Sequence, residues 1–202
     1  MPEQITKLKK KQWYHIIAPK QFDNIVLGET LVYEPSQMLG KTLSHSLMNL
    51  ANDTKRQNVN IHFKVIEIDD NKAKTKIVGY VIIPSSVKRF VRRDSLKMDI
   101  SFTCETADNI LLRVKPLIVT KSDVKGSVAA KIRNNAISFL IKTIKKVSYD
   151  EVVNDLISHK LQSAMKENLN KIYPLKTCEI RYLGIEPIEK PQEVKADVNE
   201  EK

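Results

Sequence analysis

The sequence predicts an α+β fold: an antiparallel β-barrel with flanking helices, a basic N-terminal arm and a disordered acidic C-terminal tail. Three observations predict it. Short runs of alternating apolar and polar residues, joined by hairpin-length turns, fill the first two-thirds of the chain. Three- and four-residue apolar spacing takes over past residue 123, as amphipathic helices require. The two ends carry opposite charge, and the last has almost no large apolar residue with which to build a core. The expected boundaries are an arm over 1–12, a barrel region with short helices over 13–120, a helical region over 121–175, a strand returning to the barrel over 176–187, and a tail over 188–202.

Taken in order, Trp13-Tyr14-His15-Ile16-Ile17 is short, aromatic and β-branched, and Pro19 stops it. Ile25 to Tyr33 is the second strand, with a bulge expected at Gly28. Thr42 to Leu50 fits two readings. Leu43, Leu47 and Leu50 have helix spacing, and a strand turning into a helix fits equally well. Residues 59–68 place Val59, Ile61, Phe63 and Val65 on one face before Ile66 and Ile68 shift the pattern. Asp69-Asp70-Asn71-Lys72 then turns, and Lys74 to Ile83 returns. Pro84-Ser85-Ser86 opens a helix with Val87, Phe90 and Val91 on one face and Lys88, Arg89, Arg92 and Arg93 largely on the other. Met98, Ile100, Phe102 and Cys104 alternate, Ala107-Asp108-Asn109 turns, and Ile110 to Thr120 returns. So many strands with such short turns point to a closed or nearly closed barrel.

From Asp123 to Val147, Ile132, Ala136, Phe139, Leu140, Thr143 and Ile144 recur at helical steps. Ser148-Tyr149-Asp150-Glu151 is a capping box, in which the serine hydroxyl accepts the amide three residues on and the glutamate reaches back. The helix it opens carries Val152, Val153, Leu156, Ile157, Leu161, Met165 and Leu169 and ends at Tyr173-Pro174. Thr177 to Ile185 is the last strand, with Cys178, Ile180 and Tyr182 on its apolar phase.

Composition narrows the function. Of 202 residues, 42% are hydrophobic, enough for one core, so global disorder is excluded. No run approaches the roughly 18–20 apolar residues of a membrane-spanning helix. The N-terminus shows no apolar secretory segment, and Cys104 and Cys178 alone cannot frame a disulfide scaffold. A cytoplasmic, reducing compartment is expected, which makes the Asn52-Asp53-Thr54 sequon a chance match. Lys plus Arg number 34 against 24 Asp plus Glu, a net charge of +10, so a polyanion is the expected partner. The charge is clustered. One group lies within residues 1–20, a second within 84–98 and a third within 121–146, and the sign reverses past Gly184. This is the pattern of a chain with one polyanion-facing side.

Catalytic chemistry finds no support. Gly40-Lys41-Thr42 ends like a phosphate-binding loop, but the glycine required five residues earlier is Pro35, which has no amide hydrogen to offer. His15, His45, His62 and His159 never fall at metal-ligand spacing, and no two cysteines are close. Cys104 and Cys178 sit on apolar strand phases, as buried inert thiols do. No enzyme activity, metal or cofactor is expected.

The candidate nucleic-acid contacts are the basic clusters. Lys7, Lys9, Lys10 and Lys11 precede Trp13, which sets cations beside an aromatic face, with Lys20 following. Equally, Trp13 and Tyr14 open a strand with one ring buried and one at the rim. Lys88, Arg89, Arg92 and Arg93, with Lys97, offer guanidinium forks to phosphate, or else form a solvated face. Lys131, Arg133, Lys142, Lys145 and Lys146 complete the set, the last three where a helix C-terminus favours cations in any case.

A collinear series of segments resembles a known family. Lys10-Lys11-Gln12-Trp13-Tyr14, Ala18-Pro19-Lys20-Gln21-Phe22 and Gly28-Glu29-Thr30-Leu31-Val32 look like the start of the small-subunit ribosomal protein S-one-e family, also called S-three-a-e. Gly40-Lys41-Thr42, Val87 to Arg93, Asp108 to Arg113, Asp150 to Leu156 and Ile172-Tyr173-Pro174-Leu175 continue the resemblance in order, over about residues 7–187. Asn109 stands where the family's hairpin has glycine, the segment 121–135 is less arginine-rich than in many members, and the tail matches nothing. The Ile-, Asn- and Lys-rich usage and the short N-terminus resemble archaeal rather than eukaryotic members. The resemblance implies a non-enzymatic part of the small-subunit platform near the messenger exit. Its implied partners are small-subunit ribosomal RNA and neighbouring small-subunit proteins, with messenger RNA at the exit and no membrane. It implies an N-terminal arm that orders only against RNA. The alternative reading is a free single-strand-binding barrel acting as an RNA chaperone.

Overall fold

The computed structural model describes residues 10–186 except Asp70, Asn71 and Arg92. Lys7, Lys9, Arg92, the turn residues Asp70 and Asn71, and the tail expected over 188–202 therefore lie outside the described residues. Among the described residues, nine strands and five α-helices form a mixed α+β architecture. The strands are β1 (Gln12–Ile17), β2 (Val26–Val32), β3 (Thr42–Ser46), β4 (Val59–Asp69), β5 (Lys72–Ile82), β6 (Lys97–Asp99), β7 (Phe102–Glu105), β8 (Leu111–Thr120) and β9 (Leu175–Ile185). The helices are α1 (Leu47–Ala51), α2 (Pro84–Phe90), α3 (Gly126–Ile144), α4 (Tyr149–Ile157) and α5 (Lys160–Asn170).

The sheet is open, which corrects the expected barrel. Its order is β2-β1-β5-β9-β8-β6, with β4 pairing β5, β3 on β4, and β7 on β8. Nor is it wholly antiparallel, since β1 runs parallel to β5 at His15–Ile17. β5 forks: its first residues pair with β1, and Gly79–Val81 pair with β9. Among the described residues β3 bonds only β4 and then turns directly into α1, and no strand among them closes the ring. Alternation specifies which face is buried and not whether the outer strands meet. Helices cover the core face instead.

That core face can be read across the register. Ile61, Tyr80, Leu183, Val114 and Phe102 stand side by side on β4, β5, β9, β8 and β7. All but the partly covered Phe102 are buried. Onto them α3, α4 and α5 bring Ile132, Ala136, Leu140, Val153, Leu156 and Met165. A smaller core of Tyr14, Val32, Met38, Val65 and Ala73 holds β1 and β2 against the far ends of β4 and β5. The short Pro35–Met38 turn supplies Met38 as its plug.

Local chemistry accounts for the boundaries. Of the two readings of 42–50, the strand running into a helix is the one formed. The β1–β2 register shifts between Ile16 and Ile17, opposite Gly28 and Val26, which makes Leu27 the extra residue beside the expected bulge position. Asn109 takes a left-handed turn at φ 58, a conformation asparagine tolerates better than most residues. Helix α2 ends at Phe90 because Val91 is extended at ψ 126. Arg93 thus lies outside the helix, and of the described residues of the expected basic face only Lys88 and Arg89 are on it. The single helix expected from Ser148 to Leu169 is two. His159 at φ 63 breaks it, and the Gln162 side-chain amide donates to the Leu156 carbonyl at 3.0 Å, satisfying one of the freed C-terminal groups of α4.

The capping box is formed, with the Ser148 amide donating to Glu151 Oε2 at 3.4 Å. Asp108 of the β7–β8 turn adds a second cap, accepting the Tyr149 amide at 2.8 Å. Replacing Ser148 with alanine is expected to cost about 1 kcal/mol, the usual worth of such a cap. Urea denaturation would show this as a lower midpoint with an unchanged slope.

Candidate nucleic-acid interface

One proline organises the polar side of the sheet. Pro116 has no amide hydrogen to give the β8–β9 ladder, and the register shifts there: Lys115 opposes Tyr182 while Pro116 opposes Ile180. Arg181 is the extra residue. Because side chains alternate, one extra residue turns everything beyond it over. Tyr182, expected on the apolar phase, instead joins Lys115 on the outer face, and Leu183 takes the buried position. Two rows now cross the outer face. Ser44, His62, Gly79, Gly184, Arg113 and Thr103 form one. Ser46, Asn60, Val81, Tyr182 and Lys115 form the other.

Glycine lets the rings lie down on this face. A Cβ on Gly184 would stand 2.5 Å from Tyr182 Oη, so the Tyr182 ring covers the bare backbone of Gly184. His62 covers Gly79 in the same way, its ring 3.7 Å from where that Cβ would be, as expected of a strand-face residue. Lys115 Nζ sits 4.9 Å from the Tyr182 ring centroid, a cation–π distance.

At the end of this face a cleft of about 360 Å³ opens between α2 and the sheet. Its floor is Val81, Ile82, Pro84 and Val87, and Lys88, Lys97, Lys115, Arg181 and Tyr182 surround it. Asp99 accepts from Lys97 at 2.6 Å and lies 3.5 Å from Arg181. The structure thus brings together two cations the sequence singled out, Lys88 and Lys97, with two it did not, Lys115 and Arg181. The proline inside an alternating strand was the available signal for the second pair, because it marks a ladder defect.

The other predicted residues lie elsewhere. Lys10 and Lys11 lead into β1, and Lys11 Nζ is 5.1 Å from the Tyr33 ring. Trp13 is 59% exposed beside Leu31, whereas Tyr14 is 4% exposed in the small core, so one ring is out and one in. Lys20 is exposed next to a groove with Thr75 and Lys76. Arg89 donates to Asn58 Oδ1 at 3.2 Å and to Ser86 Oγ at 3.1 Å, which holds its guanidinium against α2. Arg93 is exposed in the turn after α2.

Helix α3 buries Ala129, Ile132, Ala136, Leu140 and Ile144. At roughly 100° per residue, Lys131, Ser138 and Lys142 fall on the opposite stripe, which runs on to Lys145, while Arg133 points about 160° from Lys131. Lys142 and Lys146 border a groove of about 430 Å³ with Asn135, Ser138, Phe139 and Asn168, between α3 and α5. None of the α3 cations lines the cleft beside α2, so the basic side chains occupy more than one face, which corrects the expected single polyanion-facing side.

Both cysteines are buried, and burial pushes the Cys104 thiol up to about 11 and the Cys178 thiol up to about 12, so neither supplies thiolate near neutrality. Among the described residues no group of three or more His, Cys, Asp or Glu could hold a metal ion. No helix among them is long and apolar enough to cross a membrane.

Comparison with known proteins shows the family to which this basic scaffold belongs. The chain is similar to a protein of Haloarcula marismortui named small ribosomal subunit protein eS1, 30% identical over 191 residues that cover 95% of this chain and 89% of that one. A protein of the same name from Nanoarchaeum equitans is 30% identical over 90% of this chain and 92% of its own length. Another, from Desulfurococcus amylolyticus, is 30% identical over 86% and 82% respectively. The profile of the Ribosomal S3Ae family matches residues 3–187, the whole of the folded part described above, and the chain belongs to that family.

Proposed function

We propose that the chain is a structural constituent of the small ribosomal subunit that binds ribosomal RNA and works without catalysis. The observation that carries this reading is the family match over 3–187 on a surface with separated cationic faces. Lysines and arginines there neutralise phosphates where RNA helices approach one another, and counterions are released. Shape and backbone are read more than base edges, since the deep major groove of A-form RNA is closed to side chains. The contacts run through Lys7, Lys9, Lys10, Lys11, Trp13 and Lys20, through the set from Lys88 to Lys97, and through Lys131, Arg133, Lys142, Lys145 and Lys146. Neighbouring small-subunit proteins are the second class of partner. The position we assign is the platform near the messenger exit, in a cytoplasmic ribosome.

The salt dependence of RNA affinity tests this. Replacing Lys142, Lys145 and Lys146 together with glutamine is expected to weaken binding to a small-subunit RNA fragment. The log–log salt slope should flatten by roughly 0.7–0.9 for each phosphate that is no longer neutralised. An unchanged slope would show that these lysines serve only the helix end.

A further inference from the structure

The cleft beside α2 has a chemistry that phosphate neutralisation alone does not use. Its floor of Val81, Ile82, Pro84 and Val87 is apolar, yet its rim holds four cations and a tyrosine ring. Asp99 balances part of the charge of Lys97 and Arg181. Among the described residues no carboxylate pairs with Lys88 or Lys115. A volume of about 360 Å³ falls in the range of small-ligand sites, about 300–1,000 Å³. What fits is a flat apolar body joined to an anion.

We propose that this cleft receives one unstacked nucleotide of the bound RNA, its base against Pro84, Val87 and the Tyr182 ring and its phosphate between Lys88 and Lys115. The assignment rests on the RNA-binding reading above and deepens it. Base–aromatic stacking is tolerant of sequence, so Tyr182 acts as a platform and not as a base reader. Only an extruded or single-stranded base reaches such a wall, because bases within an RNA duplex are already stacked. The Lys115 ammonium, 4.9 Å from the ring centroid on the face away from Gly184, moves off that face to the phosphate when the base stacks there. An acidic protein segment would use the cations and leave the apolar floor empty, which is why a nucleotide is the better occupant.

The test uses the full chain and two probes of matched length, a single-stranded decamer of adenylate and a fully paired ten-base-pair RNA duplex. Tyr182→Ala is expected to weaken binding of the single strand roughly 5- to 100-fold, the range of losing one stacking partner, and to change duplex binding less than twofold. Gly184→Ala keeps the tyrosine but puts a methyl where its hydroxyl lies, so the same selective loss is expected. Equal losses on both probes, or none on the single strand, would overturn the nucleotide site and leave phosphate binding standing. A wild-type chain that binds neither probe would remove the RNA-binding reading itself. A measurement on the wild type alone is independent of any variant's folding: a 4-thiouridine decamer, photo-crosslinked, should yield an adduct on the peptide carrying Tyr182. Adducts confined to other peptides, or displacement of the decamer by a glutamate decamer at equal concentration, would assign the cleft away from nucleotides.

Discussion

Replacing Glu179 with glutamine is expected to raise the stability of the chain at pH 8 by roughly 3 kcal/mol and to leave it nearly unchanged at pH 4.5. The side chain is mostly buried, and Oε2 has no hydrogen-bond partner among the described residues. Burial pushes its pKa up to about 7, with Lys166 only partly opposing the shift. His159 Nδ1 is 3.9 Å away, beyond hydrogen-bond reach, and burial together with Arg56 lowers the pKa of that imidazole. Between about pH 4.5 and 7 the folded chain holds a proton that the unfolded chain has released. Stability therefore falls as pH rises through that window and is flat above it. His159 contributes with the opposite sign, since a neutral buried imidazole is lost as pH falls. Urea midpoints at half-unit pH steps give the result. A wild-type-minus-variant difference that does not change with pH would show that Glu179 finds a partner or water.

The second large effect is at Tyr149, at the start of α4. The residue is 1% exposed, and its hydroxyl donates to the Ile77 carbonyl of β5 at 3.1 Å. It hydrogen-bonds the helical layer to β5 of the sheet. Tyr149→Ala should cost about 3–5 kcal/mol, as loss of a buried aromatic does, because a cavity opens and the Ile77 carbonyl loses its donor. Tyr149→Phe keeps the ring and should cost only about 1 kcal/mol. Equal costs for the two would put the whole effect in the hydrogen bond, and negligible costs for both would mean the helices do not depend on this anchor.

Much of the architecture was legible because alternation and helical spacing report burial directly. Ile61, Phe63 and Leu140 lie in the core for the reason their spacing gives. Closure was not legible. The fork of β5 and the parallel pairing of β1 depend on long-range register, which a period of two does not encode. The break at His159 has no glycine or proline to announce it and is stabilised by the Gln162 side chain, a tertiary-scale detail. Tyr182 followed the strand pattern until the register shift at Pro116 moved it to the other face. That one displaced residue separates a core tyrosine from a surface platform. The basic clusters were visible as runs of lysine and arginine. Their faces were not, because Lys88 and Lys115 are 27 positions apart in sequence and share one cleft only through the fold.

The central claim is that this scaffold is held on folded RNA by its cations. Sedimentation of a cell lysate through sucrose tests it most directly, with the chain followed by antibody at low and at high monovalent salt. The account predicts comigration with small ribosomal subunits at low salt and release to the top of the gradient at high salt. A chain that stays at the top of the gradient at low salt would contradict it.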